Sequence, residues 1–221
     1  MLYIVATPIG HLKDITLRAI EVLKSVDLIA AEDTRHSGIL CREYGFTAPL
    51  ISCFEHNEEG RITQILAALQ DGKNVALISD AGTPGISDPG FRLVRAAREN
   101  GVEVTVVPGA CACIAALSLS GLPTDRFAFL GFMPVKPGAR RHKIEEAARI
   151  GGTVIFYESP HRLLKSLKDI EEILGDPVMV VTREITKKFE ERLEDKASAL
   201  HARFTAHAPL GEFVLLLSFP S

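Results

Sequence analysis

The chain has 221 residues, 47% of them apolar and 24% charged, an ordinary soluble composition with enough length to bury a sizeable core in one domain or two. Its formal net charge of −3 provides no global field toward nucleic acid or anionic membrane, so any such contact must come from a local basic patch. No apolar run approaches the roughly 20 residues that span a bilayer, and the start, Met1-Leu2-Tyr3-Ile4-Val5-Ala6, lacks the basic n-region of a signal peptide.

That start reads as a first strand, Leu2–Ala6. Further strand candidates follow at Val26–Ala31, Val75–Ser79, Val102–Val107, Phe127–Phe132, Thr153–Tyr157, Val178–Thr182 and Phe213–Phe219. Several are apolar at nearly every position, the pattern of strands covered on both faces. Between them, Ile62, Ile65, Leu66 and Leu69 form one helical stripe, and Leu163, Leu164, Leu167, Ile170 and Leu174 form another; both read as core packing. Asp88-Pro89 and Ser159-Pro160 each offer an N-cap side chain followed by proline at the first helical position. Strands alternating with helices predict an α/β class with mainly parallel pairing. A break is expected near Pro108–Leu122, where a strand leads into a small-residue helix and then Gly121-Leu122-Pro123. The expected domains are 1–110 and 111–221, each of ordinary domain size. There is no internal repeat.

Cys41, Cys53, Cys111 and Cys113 are few and unevenly spaced. Without a second Cys or His pair at finger-like spacing they read as buried thiols in a reducing cytosol, and no metal is expected.

Ligands of open α/β sheets gather outside the carboxyl ends of strands, so three strand-end loops carry the interest. Ser79-Asp80-Ala81-Gly82-Thr83-Pro84-Gly85-Ile86-Ser87-Asp88-Pro89-Gly90 combines glycines, which let backbone approach a ligand, with prolines that lower the entropy lost on binding. It reads as a ligand loop. Neither G-x-x-x-x-G-K-[ST] nor G-x-G-x-x-G is present, so a P-loop and a Rossmann pyrophosphate site are not indicated. The second loop, Ala31-Glu32-Asp33-Thr34-Arg35-His36, packs acid, hydroxyl, base and imidazole together, although helix capping by Asp33 or Thr34 would also explain it. The third places Tyr157, Glu158 and His161 at a strand mouth beside the Ser159-Pro160 cap. Lys136, Arg140, Arg141 and Lys143 lie within eight residues that hold no acid, a candidate phosphate contact or a solvated loop.

Together with Thr7-Pro8-Ile9-Gly10, Gly121-Leu122-Pro123-Thr124-Asp125-Arg126 and Arg183-Glu184-Ile185-Thr186-Lys187-Lys188, these loops resemble the ribosomal RNA small subunit methyltransferase I family of the tetrapyrrole methylase superfamily. The resemblance runs from Tyr3 to about Leu217. It implies a two-domain tetrapyrrole-methylase-like fold with an S-adenosylmethionine cleft between domains, usually in a homodimer, acting in the cytoplasm. The implied activity is methylation of the ribose 2′-oxygen of a cytidine in small-subunit ribosomal RNA. By the same resemblance Pro8, Asp80, Ala81, Gly82, Thr83, Ile86 and Ser87 hold the cofactor on one side, and Ala112, Cys113, Tyr157, Arg183, Glu184, Gly211, Glu212 and Phe213 line it on the other. This chain carries Ala110-Cys111 where the family has Pro-Ser, and His11 where it has Asn. Many members carry a further small C-terminal domain, whereas this chain stops just after Phe213–Phe219; the difference bears on rRNA affinity and not on the chemistry.

Methyl transfer from a sulfonium to oxygen is an in-line displacement that needs no metal. Positioning is the larger expected effect. Glu32, Asp33, Glu158 and His161 are the candidate bases for the 2′-proton, and their spacing does not rank them. A sibling methylase acting on a tetrapyrrole or a protein side chain is the alternative, and it would leave the Lys136–Lys143 cluster unused. A non-enzymatic RNA-binding module is a further rival, against which the intact Asp80–Gly85 loop argues.

Overall fold

Short strands with β-branched or apolar residues at every position alternate with helices from the start of the chain. The structure is a computed structural model and describes residues 1–54 and 58–220. In chain order the first unit, Met1–Cys111, contains β1 (Leu2–Val5), α1 (Leu17–Ser25), β2 (Leu28–Ala31), α2 (Thr34–Tyr44), β3 (Leu50–Ser52), α3 (Glu58–Gln70), β4 (Val75–Ile78), α4 (Phe91–Glu99) and β5 (Val104–Val107). Its sheet runs in the order β3-β2-β4-β1-β5, and every pairing is parallel. The period-two alternation of strand side chains divides the core into two layers. Ile29, Ala31, Ala76 and Ile78 pack with Leu23 of α1 and Leu40 of α2. Ala30, Val75 and Leu77 pack with Ile65 of α3 and Leu93 of α4. Helices on both faces leave no solvated side, which is why β4 is buried at all four positions.

The second unit, Ala112–Ser221, contains α5 (Ala112–Ser120), β6 (Phe127–Phe132), α6 (Pro137–Ile150), β7 (Gly152–Glu158), α7 (Pro160–Leu174), β8 (Val178–Arg183), β9 (Glu191–Lys196), α8 (Ala197–Ala206) and β10 (Phe213–Phe219). Its sheet order is β6-β7-β10-β8-β9. Here the expectation of mainly parallel pairing is corrected. Only β6–β7 is parallel, while β7–β10, β10–β8 and β8–β9 are antiparallel. Residues 184–190 between β8 and β9 are too few for a crossover helix, so the chain must turn straight back. β10 lies centrally, with α5 packed on one face and α6, α7 and α8 sharing a core with Leu215 and Leu217 on the other.

The eight expected strands all appear, with ends shifted by up to two residues, and the structure adds β3 and β9. Both additions are edge strands. β3 is three residues long, and β9 reads Glu-Arg-Leu-Glu-Asp-Lys, charged as edges that resist further pairing are. The expected cap at Asp88 is also corrected, because α4 begins at Phe91 with Gly90 as its N-cap. At Ser159 the position is right, with Pro160 first in the helix, but the side chain makes no capping bond. Glu158 accepts the Ser159 N–H instead, at 2.7 Å. Among the described residues no helix is long and apolar enough to cross a membrane.

The basic run at 136–143 opens α6, and helical spacing separates its charges. Arg140 is 4% exposed. Its Nε bonds Asp169 Oδ2 at 2.6 Å, and its Nη1 donates to Val135 O at 3.3 Å. Arg141 donates to Asp169 Oδ1 at 2.9 Å and to Glu172 at 2.7 Å. Lys143 lies 3.2 Å from Glu146, and Lys136 stands exposed at the N-cap. Of the expected phosphate contacts Arg140 is corrected to a core cation, and α7 supplies carboxylates to Arg140 and Arg141 that the run itself lacks. Removing one partner of a buried pair strands the other charge, at a cost of about 3–5 kcal/mol. Because Arg141 still reaches Asp169, Arg140→Ala is expected near the lower end, about 3 kcal/mol, read from the urea midpoint of the whole chain.

Candidate active site

In a parallel sheet all carboxyl ends lie on one edge, so the loops after β1, β2, β4 and β5 gather there. The loop after β4 is tied to its neighbours. The Thr7 N–H donates to Gly82 O at 2.8 Å, and the Gly82 N–H returns to Thr7 O at 3.1 Å. Thr7 Oγ1 donates to Ser79 O at 3.2 Å, and Thr83 Oγ1 to Ala110 O at 3.0 Å. Thr7 and Ser79 are 3% and 2% exposed, so their hydroxyls serve the loop and not solvent. Gly82 sits at φ +87°, where an L side chain is strained. A Cβ there would lie 3.3 Å from Ile9 Cγ2. The Gly82 N–H is thus engaged by Thr7, and at this position the glycine serves the close approach of the two loops. Ala81, Ile86 and Ser87 are exposed, Asp80 and Thr83 half-buried and Pro8 buried. Ser87 is held in the left-handed region, φ 65°, uncommon without glycine and typical of constrained ligand loops.

Carboxylates rim this edge. Asp80 Oδ1 accepts the Asp33 N–H at 3.0 Å, and Glu32 accepts a backbone bond from Asp80. Burial first, then the charge of Asp80, raises the Glu32 pKa. Asp88 is raised to about 6: burial contributes most, a bond from the Ser79 hydroxyl opposes it, and the charges of Glu32 and Asp80 add to it. Asp33 behaves differently. It caps α2 by accepting the Arg35 N–H at 2.8 Å, and it pairs with the Arg35 side chain at 3.1 and 2.7 Å. The Arg35 side chain, then its N–H, hold Asp33 well below the usual carboxylate range. As a candidate base Asp33 is corrected to a cap.

The second unit brings a separate set to one edge of its sheet, where Glu158, Phe213, Arg183 and Glu191 share a register. Tyr157 Oη accepts the Cys113 N–H at 3.0 Å, fixing the first turn of α5 while the ring packs against Phe129 and Phe132. Ala112 is half-buried and Cys113 buried. Glu158 is 2% exposed and accepts from the Ser159 N–H, Arg162 Nε and Ser166 Oγ. These three bonds hold the side chain in the protein interior, away from solvent. His161 is exposed on the first turn of α7. Glu184 Oε1 accepts from Lys187 Nζ and the Glu212 N–H, both at 3.0 Å, and lies so close over Gly211 that no Cβ would fit. Burial raises Glu184, but these bonds outweigh it and leave its pKa lowered. Arg183 Nε lies 3.5 Å from Glu191. The Phe213 side chain packs edge-on to Phe204 in the core, so a lining role is corrected for that side chain.

Residues 1–201 match the family described as Tetrapyrrole (Corrin/Porphyrin) Methylases. The chain belongs to this family. Among tetrapyrrole methylases it is 50% identical, over 219 residues, to the ribosomal RNA small subunit methyltransferase I of Synechocystis sp., covering 99% of this chain and 78% of that one. With the protein of the same name from Thermotoga maritima it shares 45% over 217 residues, 98% and 97% of the two chains. Diphthine synthase, solved by crystallography, superposes with a TM-score of 0.77 at 14% identity over 99% of this chain and 89% of that one. The cobalamin biosynthetic enzyme cobalt precorrin-4 methyltransferase gives 0.72 at 19%, over 97% and 93%. These two establish the fold alone.

Motif reading placed Thr7, Ser79 and Asp88 in the right loops but gave them no role of their own at this edge. The first two are hydroxyl residues that end an apolar strand run, a signal of strand-end bonding that could have flagged them. Asp88 was hidden by its resemblance to a cap. An unfolded Asp titrates near 3.9, so between about pH 4 and 6 folded Asp88 retains a proton that the unfolded chain has lost. Stability from this group falls as pH rises through that window and stays lost above it. Asp88→Asn keeps an acceptor for Ser79 and removes the charge. After solvent screening of a half-buried group it is expected to add about 1 kcal/mol, or 2–4 °C in Tm, at pH 7.5. The gain should vanish at pH 4, as differential scanning calorimetry at the two pH values would read.

Proposed function

We propose that this chain is an S-adenosylmethionine-dependent methyltransferase that methylates the ribose 2′-oxygen of a cytidine in small-subunit ribosomal RNA. The observation that carries the reading is identity near 50% across almost the whole chain with relatives named for small-subunit rRNA methylation. The first unit's edge fits the cofactor. It combines a glycine loop braced by its own hydrogen bonds with the carboxylates of Asp80 and Asp88, acceptors suited to a cationic ligand that bears hydroxyl and amino groups.

The cofactor supplies an electrophilic methyl on a sulfonium. We assign its binding to Asp80, Ala81, Thr83, Ile86 and Ser87, with Gly82 and Pro8 supporting the loop from beneath. The resemblance adds Ala112, Cys113, Tyr157, Arg183, Glu184, Gly211 and Glu212. Because the loop is tied down before ligand arrives, little ordering entropy remains to be lost, and positioning can lower the barrier by roughly 7–11 kcal/mol. With Asp33 and Glu158 engaged by other groups, Glu32 is the carboxylate best placed to take the 2′-proton. Its raised pKa makes it a stronger base than an ordinary surface carboxylate. Its protonation on acidification should lower the rate, so kcat is expected to rise with pH through the Glu32 titration.

Mass mapping of rRNA after incubating small subunits with the chain and S-adenosylmethionine tests the reading. One added methyl on a cytidine ribose is expected; methylation of a base, or none, would overturn it. Glu32→Gln should lower kcat about 10²- to 10⁴-fold while leaving cofactor affinity within a few-fold. We also propose a cytoplasmic homodimer, for which light scattering should give twice the 24.0 kDa of one chain.

A further inference from the structure

The motif Arg183–Lys188 has a second half that the cofactor assignment does not use. Between β8 and β9 the chain makes a tight turn in which Glu184 and Thr186 both adopt the left-handed region, φ 51° and 65°. For a β-branched threonine this is a genuine outlier. The turn is braced from within. Glu190 accepts the Thr186 N–H at 2.6 Å, the Lys187 N–H donates to Glu184 O at 2.9 Å, and the Glu190 N–H to Lys187 O at 3.1 Å. Lys187 Nζ joins Glu184 and Glu212 at 3.0 Å each. This bracing engages the acids nearest the tip. What the tip presents is an aromatic ring and an ammonium: Phe189 is 63% exposed, with Lys188 Nζ 5.5 Å from its ring centroid.

A strained turn persists only where its surroundings over-determine it, and such strain gathers at ligand clamps. Phe189 buries too little surface to explain the bracing as core packing. We infer that Lys188 and Phe189 form a subsite for one nucleotide of single-stranded RNA, the base stacking on the ring of Phe189 and the phosphate pairing with Lys188. Every base has a π-face, so a lone exposed ring accepts any nucleotide, and an adjacent cation adds a backbone contact. The inference rests on the rRNA reading above. It adds a phosphate contact at this turn to a second unit whose α6 presents Lys136 while Arg140, Arg141 and Lys143 are paired with carboxylates.

The test uses the full chain with S-adenosylmethionine and purified small ribosomal subunits. Phe189→Ala should raise KM for the subunits about 5- to 150-fold, the loss of one stacked base, with kcat at saturation and calorimetric cofactor affinity unchanged. Phe189→Trp should restore KM. Lys188→Gln should reduce the log–log salt slope for binding a fluorescent single-stranded oligoribonucleotide by about 0.7. A Phe189→Ala KM within twofold of the parent overturns the subsite, as does an equal loss of cofactor affinity, which would make the turn a structural element only. The oligonucleotide arm reads the subsite without methylation. A parent that binds RNA through Phe189 yet methylates no rRNA contradicts the functional reading and not the subsite, whereas a Phe189-independent parent that methylates contradicts the subsite alone.

Discussion

Two backbone hydrogen bonds between Thr7 and Gly82 join the end of β1 to the loop after β4, and the site of the first unit is organised around them. Backbone at a buried strand end must find partners or pay the desolvation of unpaired groups. Here each strand end supplies the partner of the other. The bridge favours a residue without Cβ at 82, because φ is positive and a Cβ would press on Ile9 at 3.3 Å. Once it is formed, Thr83 reaches Ala110 O and Ser79 reaches Asp88. Asp80 in turn receives the Asp33 N–H. Four loops from distant parts of the sequence thus hold one another.

The same edge shows how one acidic cluster can hold groups of different character. Asp33 faces Arg35 and remains a carboxylate, whereas Glu32 and Asp88, desolvated and near Asp80, hold protons more tightly. Environments that separate neighbouring carboxylates in this way allow one to cap a helix while another takes part in proton transfer.

Much of the fold was legible in the sequence, because strands covered on both faces must be apolar throughout and helices with one buried face must show a stripe. Both stripes, at 62–69 and 163–174, contribute side chains to the cores. Illegible were β3 and β9, whose positions at sheet edges remove the apolar signal, and the antiparallel pairing of the second sheet, which depends on β10 arriving between β7 and β8. The loop after β4 was legible as a conformationally special segment from its glycines and prolines, but the internal use of the Gly82 N–H was not. Charge was the least legible property. Lys136–Lys143 looks unopposed along the chain, yet Asp169 and Glu172 arrive from α7 to neutralise Arg140 and Arg141. Glu158 stands at a strand mouth in the sequence, and the three donors arranged around it become visible only in the fold.

The proposed S-adenosylmethionine site lies on the loop that Thr7 and Gly82 tie down. Amide resonances of the whole chain, followed during titration with S-adenosylmethionine, test it most directly. The amides of residues 80–83 and 85–88 and of Glu32 and Asp33 should shift on saturation, and the Thr7 and Gly82 amides should be protected from hydrogen exchange before any cofactor is added. Saturation that leaves the amides of residues 80–83 and 85–88 unmoved, or Thr7 and Gly82 amides that become protected only with cofactor, would contradict this placement.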